Sequence, residues 1–471
     1  MNKTGTFGII IANRGFFPEK LVKQGRERIT GVLDSFEYRY IMLDEQQGTA
    51  GSVATYRDAE ECADLFRKHA DRIDGIIVTL PNFGDEKSVA NCLKKAGLDV
   101  PVLVHAEPDD PEHMTRQERR DSFCGKISVC NNLLQYNIPF TNTAFHTCPA
   151  ESEEFKEDIS GFAAVCGVVK GLKDARFGAI GARTNPFNTV RYSEKVLESH
   201  GISVETADLS EILAAANSIE KDSPDLETYI RKITSYCSES SVPDSANERM
   251  ARFFLAVDNW IRDNDLDGTA IQCWTSMQEN FGIVPCTVMS MMSQNLLPSA
   301  CEVDICGVLS MYALQLAAGT PSAILDWNNN YGEDPDKAVL FHCSNIPLSF
   351  LDNPRIGYQE IIAESVGKEN TCGTVTGRLK ASPFTFLRLT TDCDEGIIRG
   401  YTGEGRLTDD PLETFGGYGV AHIENLQELL FVITNSEFEH HVAASRSQCA
   451  EILAEALGNY LGYELYIHDI Q

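Results

Sequence analysis

From Phe7 the chain runs FGIIIA, an unbroken apolar stretch as long as a buried strand. A loop punctuated by Gly15 and Pro18 follows, then helical spacing as far as Leu33. The same grammar returns. IDGIIVTL (73–80) and VPVLVHA (100–106) are further apolar runs, and residues 58–70 carry helical spacing. Strands buried on both faces and alternating with helices predict a mostly parallel sheet covered by helices. A second unit of this kind opens at RFGAIGA (176–182), continues into the loop RTNPFNT and reaches the helical segment SEKVLESHG, which Gly201 stops. ILAAANS, a helix near 250–264 and the apolar strand TAIQCW ending at Trp274 extend it, and residues 337–347 close it. After about residue 350 the period shortens: GTVTGRLKASPFTFLRLTTDCDEGIIRGYTGEGRL has alternating runs separated by Gly turns, the pattern of an antiparallel sheet. A helix over 447–457 and a strand in YELYIHD end the chain. The expected class is therefore α/β, with two doubly wound, mostly parallel α/β domains (1–170 and 171–350) followed by an antiparallel β domain (351–471).

With 471 residues the chain exceeds what one hydrophobic core fills, and its 43% hydrophobic and 23% charged residues are ordinary globular usage. Charge narrows the partners. Forty Lys and Arg against 69 Asp and Glu leave a formal charge of -29, a field that repels phosphate backbones and anionic lipid, so neither nucleic acid nor a membrane is expected as a partner. A solvated acidic surface accounts for the same excess without any ligand. The 15 cysteines are scattered, Cys166, Cys273 and Cys449 lie in apolar surroundings, and no CxxC pair occurs. This is the usage of reduced thiols rather than of a zinc ribbon or a redox dithiol. The first apolar run, Phe7 to Ala12, is too short for a signal-peptide core or a membrane span, which points to the cytoplasm.

Candidate chemistry concentrates in ACEVDICGVLSMYALQLAAGTPSAILDWNNN, residues 300–330. Ile305, Val308, Leu309, Tyr312 and Leu316 keep helical spacing until Gly319 and Pro321, which places Glu302 at the helix start. SAILDW then reads as a strand with Asp326 at its C-terminal end. In a parallel layer those two positions share the edge where ligands bind, so the carboxylates can converge. Two close carboxylates repel unless a cation or a shared proton lies between them. Equally open from the residues alone, Glu302 and Asp304 complement the helix dipole while Asp326 caps its loop. Arg14, Asn82, Arg183, Gln272 and Trp274 follow predicted strands, where loops at the ligand edge lie, polar side chains can read hydroxyls and a Trp can stack on a ligand or merely pack. His342 is either a further contact or a core histidine.

The segment around Glu302 resembles the metal-binding stretch of L-fucose isomerase: a Glu, an Asp two residues on, a Gly-bearing amphipathic helix, and an Asp 24 residues after the Glu. ANRGFFPEKL at Arg14, GAIGARTNPFNT at Arg183, IQCW at Trp274 and FHCSNIP at His342 resemble shorter members of the L-fucose/L-arabinose isomerase family, so the likeness spans nearly the whole chain. It implies a metal-dependent aldose-ketose isomerase in which Glu302 and Asp326 are both ligands and the proton-transfer pair. His441, from EHHVAASR, completes the metal site, which takes Mn²⁺ with Mg²⁺ or Co²⁺ as substitutes. His342 resembles an additional ligand of the L-arabinose enzyme and is taken as a substrate contact. His440 faces away from His441 if the segment is extended, and a register slip of one residue would exchange them. Asp304 either bonds a hydroxyl or a ligand, or only caps its helix. The implied substrate is a monosaccharide, whether a deoxyhexose, a pentose or, given Arg14 and Arg183, an anionic sugar such as sulfoquinovose or a sugar phosphate. The family also implies a homo-oligomer, a trimer or hexamer, with Arg14 serving a neighbouring subunit. The rival is a non-catalytic sugar-binding protein of tandem α/β domains, which would bind without turnover.

Overall fold

The structure, a computed structural model, describes residues 5–468. It divides into two compact units, one running to Lys170 and including Glu455–Gly462, the other comprising Gly171–Ala454 and the chain from Tyr463.

In the first unit five parallel strands, β1 (Thr6–Ile11), β2 (Arg39–Ile41), β3 (Gly75–Leu80), β4 (Val102–Ala106) and β5 (Thr141–Asn142), form one sheet in the order β2-β1-β3-β4-β5. Every residue of β1, β3 and β4 is buried, which is why those runs carry no polar alternation. The helices are α1 (Glu19–Ser35), α2 (Tyr56–Lys68), α3 (Glu86–Ala96), α4 (Ser122–Gln135) and α5 (Glu153–Lys173). Local chemistry sets their ends: Thr55 and Asp58 form a capping box on α2, and Asp85 caps α3, which Gly97 closes in the left-handed conformation.

The second unit opens with a parallel sheet, β7-β6-β8-β9, made of β6 (Arg176–Ile180), β7 (Ser203–Ala207), β8 (Gly268–Ile271) and β9 (Ser299–Cys301). Helices α6 (Glu194–Ser199), α7 (Leu209–Ser218), α8 (Pro224–Tyr236), α9 (Asp244–Asp263), α10 (Ser276–Phe281), α11 (Cys286–Gln294) and α12 (Ile305–Ala318) accompany it. Nine further strands form one sheet: β10 (Ser322–Asn330), β11 (Lys337–His342), β12 (Leu351–Tyr358), β13 (Cys372–Leu379), β14 (Ser382–Asp392), β15 (Ile397–Thr408), β16 (Gly417–His422), β17 (His441–Ser445) and β18 (Glu464–His468). Between them lie α13 (Glu360–Val366), α14 (Leu426–Asn435) and α15 (Ala450–Leu453). Because β15 also pairs with β16, strands β16-β11-β10-β17-β14-β15 close into a barrel around Phe384, Phe386 and Tyr401.

Two parallel α/β sheets followed by an antiparallel β region were expected. One detail differs. β10 is not a strand of the parallel layer: it pairs antiparallel with β11 and with β17, so the antiparallel region starts at Ser322 rather than near 350. An apolar run such as SAILDW after a helix has no local feature that fixes the direction of its partners. Among the described residues no helix is long and apolar enough to cross a membrane.

Candidate active site

Glu302 leaves the C-terminal end of β9 in a turn where Glu302 (φ 61°) and Val303 (φ 59°) are both left-handed, a conformation costly for side chains and most of all for a β-branched one. Asp304, not Glu302, caps α12, its Oδ1 accepting from the Gly307 N–H at 2.8 Å. Asp326 and His441 face each other across the β10–β17 ladder as directly paired residues. The turn and the ladder bring the three groups together. His441 Nε2 lies 3.0 Å from Glu302 Oε2 and 3.5 Å from Asp326 Oδ1, and both oxygens are buried without a hydrogen-bond partner. The other Glu302 oxygen accepts from the Trp274 indole N–H at 3.2 Å.

Behind His441 stands a buried ionic network. Its Nδ1 meets Asp304 Oδ2 at 2.8 Å, Arg388 donates to both Asp304 oxygens at 2.6 and 3.0 Å, and the same guanidinium reaches Glu439 at 3.0 Å. Burial alone would raise the Asp304 carboxyl, but Arg388 and His441 outweigh it and hold it well below the usual range. Burial likewise favours a neutral His441 ring, and the bond to Asp304 with the Glu302 carboxylate 3.0 Å away overrides it, lifting the imidazole well above its ordinary value. Asp326 moves the other way: burial, with Glu302 adding to it against the two nearby imidazoles, pushes its carboxyl up to about 6.

His342 is buried, and a ring nitrogen of it lies within 4.8 Å of an Asp326 oxygen and a His441 ring nitrogen. Against burial, Cys343 and the carboxylates lift it to about 9. His440 is 41% exposed, sits 3.7 Å from Asp326 Oδ1 and is lowered to about 4 by burial and by the charge of His441. Phe187, Trp274, Phe341 and Ile361 give the cavity of about 240 Å³ its apolar walls, and Gln359 adds a polar group.

Other predicted residues fall elsewhere or do other work. Asp304 is fully buried with both oxygens engaged by protein groups, which leaves none for a sugar; its partners make it a support for His441. Gln272 ties the loop after β8 to the one after β6, accepting from Ala182 N at 2.9 Å and donating toward Trp274 O at 3.4 Å. Arg183 donates to the backbone carbonyls of Thr184 and Asn185 in the loop whose Phe187 lines the cavity. Arg14 and Asn82 belong to the first unit, after β1 and β3. Asn82 is buried and accepts from Arg14 N and Gly84 N, while Arg14 donates to Gly84 O at 2.8 Å and pairs with Glu86. Arg388 and Glu439 were not singled out from the sequence, although an Arg inside the apolar strand PFTFLRL is a usable signal, since a buried guanidinium needs a carboxylate partner.

These groups make a set for a hard divalent cation: two unpartnered carboxylate oxygens and an imidazole whose far nitrogen is fixed by a carboxylate. Ligand atoms on an octahedral ion with bonds of about 2.1 Å sit roughly 3 Å apart, close to the 3.0 and 3.5 Å that separate His441 Nε2 from Glu302 Oε2 and Asp326 Oδ1.

Comparison with known proteins follows the same lines. Residues 8–173 match the family description "Fucose/sulfoquinovose isomerase, N-terminal domain" and residues 340–468 match "L-fucose isomerase, C-terminal domain". The sulfoquinovose isomerase of Priestia megaterium is 23% identical over 84% of this chain and 86% of its own length. Those of Alkalicoccus urumqiensis and Clostridium sp. are each 24% identical, over 57% and 42% of this chain and 59% and 44% of their own lengths.

Proposed function

Starting from the chain's membership of the L-fucose isomerase-like family, we propose that it interconverts an aldose and a ketose at a divalent-metal site held by Glu302, Asp326 and His441, with a sulfonated hexose as substrate. It is an aldose-ketose isomerase, and the rival reading of a passive sugar binder is set aside. The observation that carries the metal reading is the pair of buried oxygens, Glu302 Oε2 and Asp326 Oδ1, that aim at His441 Nε2 without hydrogen bonds. Leaving such acceptors unsatisfied costs about 1–3 kcal/mol each, more when they are charged, and a cation removes that cost.

Mn²⁺ held by Glu302, Asp326 and His441 would supply positive charge to stabilise the oxyanions of the enediolate. The carboxylates of Glu302 and Asp326 take the proton from C2 and return it to C1, so the sugar passes through an enediolate. Trp274 fixes one Glu302 oxygen and leaves the other for the reaction. Phe187, Trp274 and Phe341 exclude water from the developing charge. Arg183, bonded only to backbone carbonyls among the described residues, is a cation free to meet a sulfonate.

The test is turnover of sulfoquinovose, L-fucose and a sugar phosphate with Mn²⁺ and after EDTA. Sulfoquinovose should turn over best, and Glu302→Gln and Asp326→Asn should abolish conversion in folded protein. Arg183→Met should raise KM for the sulfonated sugar alone. Activity surviving in both carboxamide variants refutes the site, and equal turnover of fucose refutes the anionic substrate.

A further inference from the structure

Beside the oxygen- and nitrogen-bearing cluster lies a group of thiols that the isomerisation does not use. Cys301 ends β9, Cys273 follows β8 in the neighbouring parallel strand, and Cys343 follows β11 of the barrel. All are free thiols. Cys301 Sγ, Cys343 Sγ and a His342 ring nitrogen lie within 4.8 Å of one another, and Cys273 Sγ lies within the same distance of Cys301 Sγ and of a Glu302 oxygen. His342 Nδ1 and Cys343 Sγ are 3.8 Å apart. Tetrahedral zinc, with Zn–S near 2.3 Å and Zn–N near 2.1 Å, sets its ligand atoms roughly 3.5–3.8 Å apart. One ligand pair already has that spacing, and Cys301 Sγ, within 4.8 Å of both of its members, needs a movement of no more than about 1 Å. Cys273 and Cys301 are fully enclosed, whereas Cys343 and His342 line the cavity and give an ion a route in.

We propose that Cys301, Cys343 and His342 form a second metal site, with Cys273 standing beside Cys301, selective for soft divalent ions such as Zn²⁺ and Cd²⁺ and next to the hard-ion site. Thiolate ligands select such ions, while two carboxylates with one imidazole select Mn²⁺ or Mg²⁺. The two sets adjoin: His342 also lies within 4.8 Å of Asp326 and His441, and a Glu302 oxygen within 4.8 Å of Cys273 and Cys301. A soft ion therefore withdraws His342 from Asp326 and His441 and places a second dication against Glu302. Filling this site inhibits the enzyme without displacing its Mn²⁺. The thiol site itself stands independently of the proposed function; only the inhibition rests on that reading.

The experiment is a Cd²⁺ titration of the Mn²⁺-loaded protein, in a Cys124→Ser, Cys393→Ser background that removes the two exposed thiols. The ultraviolet thiolate-to-cadmium charge-transfer absorption, bound Mn²⁺ and turnover are followed together. The expected result is a band that saturates at one Cd²⁺ per chain, turnover falling in step and Mn²⁺ staying bound. Cys343→Ser, checked for native circular dichroism and melting, should weaken Cd²⁺ by more than the roughly 100-fold that even a ligand's hydrogen-bond partner is worth. It should also free the variant's own Mn²⁺-dependent rate from inhibition. Cys301→Ser should reproduce this if it folds. No band at one equivalent, a band that survives Cys343→Ser, or stoichiometric loss of Mn²⁺ overturns the site. A band lost in Cys343→Ser, in a protein that isomerises no sugar, leaves the thiol site standing and removes the proposed function instead.

Discussion

Replacing Asp304 with asparagine separates the support of the proposed metal site from its chemistry. The carboxylate accepts four hydrogen bonds, from Gly307 N, from both Arg388 Nη atoms and from His441 Nδ1. Asparagine keeps the shape but only one acceptor oxygen. Whichever way it turns, its amide meets either Gly307 N and Arg388 Nη2 or Arg388 Nη1 and His441 Nδ1, so two bonds are lost and Arg388 loses a buried counter-charge. Breaking a buried pair by removing one charge costs about 3–5 kcal/mol. Glu439 still holds the guanidinium, so the lower end applies, and about 3 kcal/mol lowers Tm by roughly 6–12 °C in a unit of this size. His441, no longer oriented by a charged partner, should bind Mn²⁺ roughly 10–100-fold more weakly, or about 1.4–2.8 kcal/mol. Calorimetric titration of metal-stripped protein reads the affinity, and kcat at saturating Mn²⁺ reads the chemistry. The expected result is a higher Kd with kcat restored to within about tenfold by excess metal. An unchanged Kd, or a kcat as low at saturation as that of Glu302→Gln, refutes the supporting role.

His441→Ala should strip Mn²⁺ during dialysis, read by elemental analysis, whereas His440→Ala should retain it; the reverse outcome exchanges the two histidines. Metal uptake should expel protons, because the metal-free site holds one on His441 and, below about 6, a second on Asp326. Affinity should thus fall as pH falls, by about one decade per unit near neutrality and about two below 6; a flat profile contradicts this assignment of protons. Gly307→Ala raises helix propensity by about 1 kcal/mol, yet its Cβ would sit 2.5 Å from Asp304 Oδ2, so a lower Tm and weaker Mn²⁺ binding are expected. A stabilised variant with intact affinity would show that Asp304 can be carried elsewhere.

The fold class was legible because its strands announce themselves by period: β1, β3 and β4 are buried on both faces and read as unbroken apolar runs, while β14 and β15 sit in a Gly-punctuated stretch of short alternating runs. Direction was not legible. SAILDW carries the composition of a buried strand whether its neighbours run parallel or antiparallel, and only pairing with KAVLFH and HVAAS decides. Glu302 and Asp326 each lie beside His441, Asp326 through an antiparallel ladder rather than the edge of a parallel sheet. Cys273, Cys301 and Cys343 come from three separate segments and have no spacing for a motif search to detect. Asp304, Arg388 and Glu439 are likewise related only through space, 84 and 51 residues apart along the chain.

The same network explains how the turn at Glu302 is kept. Left-handed backbone at two consecutive residues without glycine costs of order 1–3 kcal/mol at each and would relax if the flanking segments were free. β9 anchors one side of the turn through its ladder to β8, and Asp304 anchors the other through α12 and Arg388 of β14. Arg388 thus ties the turn of the parallel sheet to the barrel that supplies Asp326 and His441. Arg388→Met should therefore act at a distance. With Asp304 and Glu439 left unpaired the turn loses one anchor, Glu302 drifts from His441, and metal affinity falls although no ligand has changed. Arg388→Lys offers one ammonium in place of a fork and recovers only part of it. Metal affinity in the order wild type, Lys, Met, with kcat at saturating metal moving less than Kd, is the pattern this anchoring demands; equal affinities across the series would mean the turn holds its shape without the barrel.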